Sequence, residues 1–269
     1  MIINGPATAN YDEDLGVMLL SDWGHTDAFT LWEVKSKFGA PPALENGLIN
    51  GTNTYDCSGS EDPNCLGTGT RWETVFTPNT KYRLRVVNTA SDGFIRFTID
   101  NHKFTVIAND LVPINPYITD NLLIGIAQRY DIVVEANAAI GNYWLRAIWE
   151  TACSANDNPN NILGIVRYLG ANNTSDPTSI VGNFSDNCGD EPLSNLVPYL
   201  ELDVGDPATE KELDLSGNFG NLFTWAINSS SLRLNLTDPT FLRIVNNEQT
   251  FPTDYNAISV PVVNEARPR

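Results

Sequence analysis

The amino-acid sequence predicts an all-β protein built around a Greek-key β-sandwich. Apolar and polar residues alternate with a period of two in several short segments, and Asn, Gly, Pro or Asp bounds each one. The segments recur at intervals of about 10 residues, which is typical of sandwich strands. No window longer than about 12 residues carries the i, i+3, i+4, i+7 spacing of a surface helix. We therefore expect little helix.

Six segments in the first part of the chain show this alternation. They are KYRLRVVNT (81–89), FIRFTID (94–100), KFTVIAN (103–109), YDIVVEAN (130–137), NYWLRAIWE (142–150) and ILGIVRYLG (162–170). Each is short and bounded by turn residues, so we predict a strand at each. The segment LWEVKSKFG (31–39) is predicted to form one or two helical turns.

The composition changes after Gly170. Residues 171–191 contain few large apolar side chains and much Asn, Ser, Asp and Pro, which is typical of an ordered loop or an interdomain linker. Strand-like segments resume at NLVPYLELDV (195–204), KELDLSG (211–217), NLFTWAINS (221–229) and TFLRIVNN (240–247). This last part is shorter than the roughly 100 residues of a complete sandwich. We predict a remnant of a preceding domain or linker (1–10), a sandwich (11–170), a linker (171–191) and a partial sandwich (192–269).

Net charge and missing motifs argue against several function classes. The chain has 16 basic and 33 acidic residues, and its net charge of -17 repels nucleic-acid phosphates and anionic membrane surfaces. No segment approaches the roughly 20 consecutive apolar residues of a membrane span. Phosphate-binding glycine motifs and the Gly-x-Ser-x-Gly nucleophile motif are absent. We expect neither nucleic acid nor a membrane as a partner.

Six Asn-x-Ser/Thr sequons predict glycosylation, at Asn50, Asn172, Asn173, Asn183, Asn228 and Asn235. Their density indicates the secretory pathway, and the alternative is chance in a chain rich in Asn, Ser and Thr. The first residues, MIINGPATANYDEDLG, show no basic region, apolar core or cleavage site of a signal peptide. We expect an extracellular parent protein and a chain that lacks its natural beginning.

Four cysteines are spaced in a way that favours disulfides over a zinc site, because no Cys-x-x-Cys is present. Cys57 and Cys65 flank a polar loop, while Cys153 and Cys188 bracket a long segment rich in Asn, Ser, Pro and Gly. We predict that each of these pairs is bonded. For the distant pair, the alternative is two free, buried thiols.

Four segments together resemble the middle of fungal laccases of the ascomycete type, which are three-domain multicopper oxidases built from cupredoxin-like sandwiches. The segments are INGPATANYDEDLGVMLLSDW (3–23), GAPPALENGLINGT (39–52), YRLRVVNTASDGFIRFTIDNHKFTVIANDLVPINP (82–116) and IGIAQRYDIVVEAN (124–137), with LDLSGNFGNLFTWAINS (213–229) following. The resemblance implies that residues 11–170 are the copper-free second domain and that the third domain begins near residue 192. A similar long-loop disulfide in the family supports the pairing of Cys153 with Cys188.

The resemblance also implies that the copper chemistry lies outside this chain. Laccases hold four coppers with His-x-His pairs and with a cysteine between two histidines, and this chain has only His25 and His102. Copper sites are built mainly from imidazole, with a thiolate at the blue site. We expect no metal site or cofactor in this chain, and no oxidase activity from it alone. The parent enzyme would use copper to oxidise phenols by one electron and to reduce dioxygen to water.

The histidines are therefore expected to be structural. His102 lies in DNHKF, where we expect it to hydrogen-bond backbone in a turn, and His25 is expected to be solvated or to cap a backbone group. Two other functions remain open for the chain: a copper-free secreted β-sandwich that binds a ligand or partner, and a structural module without a ligand. Copper content of the complete protein distinguishes them from the oxidase.

The family's phenol pocket lies at the border of its second and third domains. By position, Asp92 of NTASDG matches the carboxylate that receives the phenol hydrogen. A base suits this place because removal of one electron makes the phenol proton strongly acidic. The alternatives are that Asp92 is an ordinary turn residue and that the aromatic residues are core. Five further residues are predicted to line the pocket: Ala40, Pro41, Leu213, Phe223 and Trp225.

Overall fold

The computed structural model describes residues 5–35, 42–172, 174–203, 205, 212–219, 223–231, 235 and 237–255. The chain divides into two compact units. Unit 1 comprises Met1–Thr26 with Pro42–Asp203, and unit 2 comprises Asp27–Pro41 with Val204–Arg269. The predicted sandwich lies in unit 1.

Unit 1 contains eleven described strands in two sheets. Strands β1 to β11 are Glu13–Trp23, Asn46–Ile49, Trp72–Phe76, Lys81–Asn88, Ile95–Ile99, Phe104–Asn109, Val112–Thr119, Asn121–Ile124, Arg129–Glu135, Asn142–Trp149 and Leu163–Tyr168. One sheet has six strands in the order β2-β1-β4-β9-β6-β7, and the other has five in the order β3-β11-β10-β5-β8. Because neighbouring strands are often distant in sequence, the connections cross between the sheets, as in a Greek key. The predicted all-β fold is confirmed.

The two sheets bury one apolar core between them. Leu84 and Ile132 contribute to it from the six-stranded sheet, and Phe97, Leu145 and Val166 contribute from the five-stranded sheet. All five side chains are at most 1% exposed. Because successive residues of a strand point to opposite faces, one face of each sheet can supply this core while the other carries polar residues. The period-two alternation in the sequence reflects this geometry.

The six predicted strands are confirmed as β4, β5, β6, β9, β10 and β11, and the other five strands of unit 1 were not predicted. Strand β1 pairs with β4 in parallel and has an irregularity between Asp14 and Val17, where Gly16 adopts φ +80°. Strand β7 contains Pro113 and Pro116 and lies at the edge of its sheet, where proline is tolerated. Such interruptions hide a strand from a search for strict alternation.

The segment 171–191, predicted as a linker, lies along unit 1. Ser179 donates its hydroxyl hydrogen to the buried Asp100 carboxylate at 2.8 Å, and Arg96 donates to the Ser185 carbonyl oxygen at 2.8 Å. Unit 1 therefore continues past the predicted boundary at residue 170.

The strand predicted at 195–204 is wrong. A 3-10 turn, Leu193–Asn195, comes first, and Pro198 then forms only an isolated bridge with Ile114 of β7. No second residue pair extends this bridge among the described residues, so the segment does not become a strand. The segment adds two backbone hydrogen bonds to the edge of β7, through Val197 and Tyr199, without becoming a strand.

Unit 2 contains helix α1 (Ala28–Lys35), strands β12 (Leu215–Phe219) and β13 (Phe223–Ile227), and helix α2 (Thr240–Val245). The two strands pair antiparallel, in agreement with the strand predicted at 221–229. Helix α1 confirms the predicted helical turns, and the carboxylate of Asp27 accepts hydrogen bonds from the first free amides of this helix. No helix among the described residues is long and apolar enough to span a membrane.

The strand predicted at 240–247 is also wrong, because helix α2 occupies this segment. Its apolar residues come in two adjacent pairs, Phe241 with Leu242 and Ile244 with Val245. Equivalent members of the two pairs are three residues apart, which is helical spacing. Proline is well accepted at the start of a helix, and here Pro239 precedes the first turn.

Candidate functional site

The turn between β4 and β5 carries Asp92, the predicted proton acceptor. Asn88, the last residue of β4, is fully buried beneath this turn. Its side-chain amide donates to the carbonyl oxygens of Gly93 at 2.7 Å and Ile124 at 2.9 Å, and its Oδ1 accepts from the Ala90 amide at 2.9 Å. Asn88 thus ties the two ends of the turn together.

Asp22, near the end of β1, binds the tip of the same turn. Its Oδ2 accepts hydrogen bonds from the Ser91 amide and the Ser91 hydroxyl, both at 2.7 Å, and from the Asp92 amide at 3.0 Å. From the opposite side, the Ser154 hydroxyl donates to the Asp92 carbonyl oxygen at 2.7 Å. The backbone of Asp92 is therefore held at both its amide and its carbonyl.

The Asp92 carboxylate itself is not used to cap the turn. Its Oδ2 is buried and has no hydrogen-bond partner in the part of the chain that the structure describes. Burial raises the pKa of Asp92 above its ordinary value, and the negative charge of Asp22 raises it further. A carboxylate that has lost solvation without gaining donors holds a proton more firmly and is a stronger base.

The other predicted pocket residues belong to unit 2. Ala40 and Pro41 lie outside the described residues. Leu213 precedes β12 and is 59% exposed, and Trp225 of β13 is also 59% exposed. Phe223 begins β13, and the structure does not describe its side chain. Their arrangement around Asp92 stays a prediction.

Sequence reasoning missed Asp22, Asn88 and Ser154. Asp22 is 70 residues from Asp92, and it comes close because β1 and β4 pair in parallel with Leu20 opposite Asn88. The spacing of residues in the sequence does not indicate that β1 pairs with β4. The one available signal was that Asp22 lies in a segment that carried the family resemblance.

His102 is a buried structural residue. It is 3% exposed, and its Nδ1 lies 2.8 Å from the Asp100 carbonyl oxygen, which confirms the expected backbone contact. Its Nε2 lies 2.7 Å from the Tyr168 hydroxyl oxygen. Burial lowers the pKa of His102. His25 is partly exposed at the surface, and its backbone amide donates to the Glu45 carboxylate at 3.1 Å.

Both predicted cysteine pairs are bonded in the structure. Cys57 is joined to Cys65 and Cys153 to Cys188, with Cα–Cα distances of 5.7 Å and 5.4 Å. The longer bridge fixes residue 188 to the loop that follows β10. It therefore anchors the segment 171–191 to the sandwich.

A separate cleft of about 410 Å³ opens on the outer face of the six-stranded sheet, and Asp92 is not among its lining residues. Arg83 and Arg85 line it, and each forms an ion pair, with Asp131 and Asp14 respectively. Arg129 lines it too, and the Nε atoms of all three arginines are buried without a hydrogen-bond partner among the described residues. For proton chemistry the Asp92 turn is the better candidate, because the described part of the chain gives its carboxylate no cationic partner.

Comparison with known proteins agrees with this fold. The family model for multicopper oxidases matches residues 14–171, which cover the eleven described strands of unit 1 except for Glu13, the first residue of β1. The chain belongs to the multicopper oxidase family. Members of this family are copper enzymes.

Several fungal members of the family are similar over nearly the whole chain. Laccase-2 of Botryotinia fuckeliana is 55% identical and Oxidoreductase OpS5 of Beauveria bassiana is 46% identical, each over 97% of this chain. The crystal structure of the laccase from Botrytis aclada is 55% identical, with a TM-score of 0.86 over 96% of this chain. The resemblance to fungal laccases is thus confirmed. The chain spans 44%, 45% and 47% of these three relatives, which is less than half of their length.

The residues of this chain do not fit the copper centres of a multicopper oxidase. The full sequence has two histidines, and His102 uses both ring nitrogens in hydrogen bonds. All four cysteines are in disulfides, so none offers a thiolate. Within the described residues, no three His, Cys, Asp or Glu side chains are grouped to hold a metal ion. Copper ligands of the family must therefore come from elsewhere in a complete enzyme.

Proposed function

We propose that this chain is the copper-free part of a laccase-type oxidase and that it supplies the proton acceptor, Asp92. The complete enzyme would oxidise phenolic small molecules by one electron and reduce dioxygen to water. The chain alone would have no oxidase activity, because its residues cannot hold copper. The observation that carries the proposal is the half-buried Asp92 side chain, whose buried carboxylate oxygen has no hydrogen-bond donor among the described residues.

The chemistry assigned to Asp92 is the proton half of phenol oxidation. A phenol that becomes a phenoxyl radical loses one electron and one proton. Copper bound in the complete enzyme would supply the electron acceptor, and a carboxylate oxygen of Asp92 would take the proton. Because its pKa is raised, Asp92 accepts this proton more readily than an ordinary surface aspartate. The backbone contacts to Asp22 and Ser154 hold the acceptor in place.

The proposed pocket adds apolar walls to this base. Ala40 and Pro41 would form one wall, and Leu213, Phe223 and Trp225 would form the apolar side. Leu213 and Trp225 are both 59% exposed, so their side chains are accessible to a ligand.

We also propose that the parent protein is extracellular and glycosylated. Two disulfides support an oxidising compartment. The described sequon residues are all exposed, as a glycan requires: Asn50, Asn172, Asn183, Asn228 and Asn235. Asn173 lies outside the described residues.

The experiment uses a complete oxidase in which this chain replaces the aligned 260 residues of Laccase-2 of Botryotinia fuckeliana. Asp92→Asn keeps the shape and removes the base, so kcat/KM for a phenol should fall about 100-fold, with a changed pH dependence. Oxidation of ferrocyanide, which has no proton to lose, should change little. Asp92→Glu is the control that keeps a carboxylate. Equal losses on both electron donors would show that Asp92 is architectural and would end the proposal.

A further inference from the structure

One carboxylate oxygen of Asp22 collects the three donors at the tip of the Asp92 turn. The donors are the Ser91 amide, the Ser91 hydroxyl and the Asp92 amide. In an ordinary Asx-turn, the aspartate in the turn accepts hydrogen bonds from amides that follow it. Here the acceptor comes from a different strand, so the turn is capped without the use of Asp92.

The rest of the turn leaves the Asp92 backbone little freedom. The Ser154 hydroxyl holds its carbonyl oxygen. The next residue, Gly93, packs against the indole of Trp149 so closely that a Cβ would lie 2.6 Å from its Cζ3. Any larger residue there would push the turn or the indole aside. Tertiary contacts on both sides of the turn therefore fix the orientation of Asp92.

Few charges act on Asp92. Asp22 is the charged group from β1, and its negative charge opposes ionisation of Asp92. Glu150, just after β10, approaches the turn through its backbone amide, which donates to the Phe94 carbonyl oxygen. Its side chain is engaged with Arg96 in a buried ion pair. Asp22 is thus both the cap of the turn and the charged neighbour of Asp92.

We propose that Asp22 is a positioning residue for Asp92: it binds the Ser91 and Asp92 amides and so fixes the turn in the conformation in which the Asp92 carboxylate has no hydrogen-bond donor among the described residues. The functional meaning of this inference rests on the proposed role of Asp92, but the positioning itself does not require copper. It can therefore be tested on this chain alone. If Asp22 were absent, the Ser91 and Asp92 amides would lose their acceptor, and the turn that carries Asp92 would be free to rearrange.

The first test is an NMR titration of the isolated chain, which follows the Asp92 carboxyl group and the Ser91 and Asp92 amides. In the unmutated chain, both amides should shift as Asp22 titrates, because its carboxylate is their acceptor. Asp22→Asn keeps an oxygen for the amides and removes the charge, so the pKa of Asp92 should fall. Asp22→Ala also removes the acceptor and frees the turn, so the Asp92 carboxyl group should regain solvation and its pKa should fall further.

The matched control is Asp27→Asn. Asp27 also caps backbone amides, those of Phe29 and Thr30, and it belongs to unit 2. This change should leave the titration of Asp92 as it was. If the chemical shifts of the Ser91 and Asp92 amides do not change as Asp22 titrates, the proposal is wrong. This measurement is made on the unmutated chain and does not require a variant to fold. An unchanged Asp92 titration in both Asp22 variants would overturn the proposal as well.

The complete oxidase separates this inference from the proposed function. If the positioning is correct, Asp22→Ala should move the pH profile of phenol oxidation to lower pH than Asp22→Asn does and leave ferrocyanide oxidation unchanged. A phenol defect in Asp92→Asn together with the same pH profile in Asp22→Ala and Asp22→Asn would refute the positioning alone. A normal phenol rate in Asp92→Asn would refute the proposed function, while the NMR result would still decide the positioning.

Discussion

Glu150→Gln should destabilise unit 1 strongly, because it removes one charge from a buried ion pair. Glu150 Oε1 lies 2.6 Å from Arg96 Nε, and the two side chains are 2% and 6% exposed. Glu150 Oε2 accepts a hydrogen bond from the Asn187 amide at 2.7 Å, next to the cysteine of the longer disulfide. The pair therefore links β5, the end of β10 and the segment 171–191.

The expected magnitude follows from this burial. Glutamine keeps the shape and one acceptor oxygen, but the charge of Arg96 is left without its partner. Removing one member of a buried ion pair costs about 3–5 kcal/mol, and the retained acceptor places this change near the lower end. We expect a loss of about 3 kcal/mol in the free energy of unfolding.

Urea unfolding of this chain, followed by tryptophan fluorescence and circular dichroism, measures the effect. The matched control is Glu73→Gln, because Glu73 also binds an arginine, Arg167, with two hydrogen bonds of 2.8 Å. Arg167 is 8% exposed, but the Glu73 side chain is 45% exposed and already solvated in the folded chain, so the loss should be below about 1 kcal/mol. Equal losses in the free energy of unfolding for the two substitutions would show that burial does not determine the strength of the Glu150–Arg96 pair.

Two further predictions concern the stability of the chain. Burial lowers the pKa of His102 in the folded chain, so on acidification the unfolded chain binds a proton at His102 at a higher pH than the folded chain does. The free energy of unfolding should therefore fall as the pH drops from 6.5 to the lowered pKa of the folded state. Urea unfolding at several pH values should show that His102→Gln removes this pH dependence. The same pH dependence in the variant would contradict its assignment to His102. Replacing Cys153 and Cys188 by serine opens a loop with a separation of 35 residues and should cost about 4 kcal/mol, against about 2.5 kcal/mol for the separation of 8 between Cys57 and Cys65. A larger loss for the short loop would argue against the chain-entropy explanation.

The sequence by itself determined the class of fold, the family and the strands with regular alternation. Segments such as 81–89 and 130–137 could be predicted because period-two alternation is a local property that follows directly from the geometry of a strand. The cysteine spacing was similarly informative, since each pair brackets a loop. Helix α2 was missed although its apolar spacing is local, because a short apolar run is ambiguous between helix and strand.

Only the tertiary structure decided what surrounds Asp92. The sequence placed this residue in a turn, where an aspartate ordinarily caps its own amides. The parallel pairing of β1 with β4 brings Asp22 to the same turn from 70 residues away, and Asp22 takes over the capping. Whether a carboxylate has hydrogen-bond donors depends on which strands become neighbours, and that is a property of the whole sheet. The chemistry of Asp92 therefore depends on long-range pairing that its own segment of sequence does not encode.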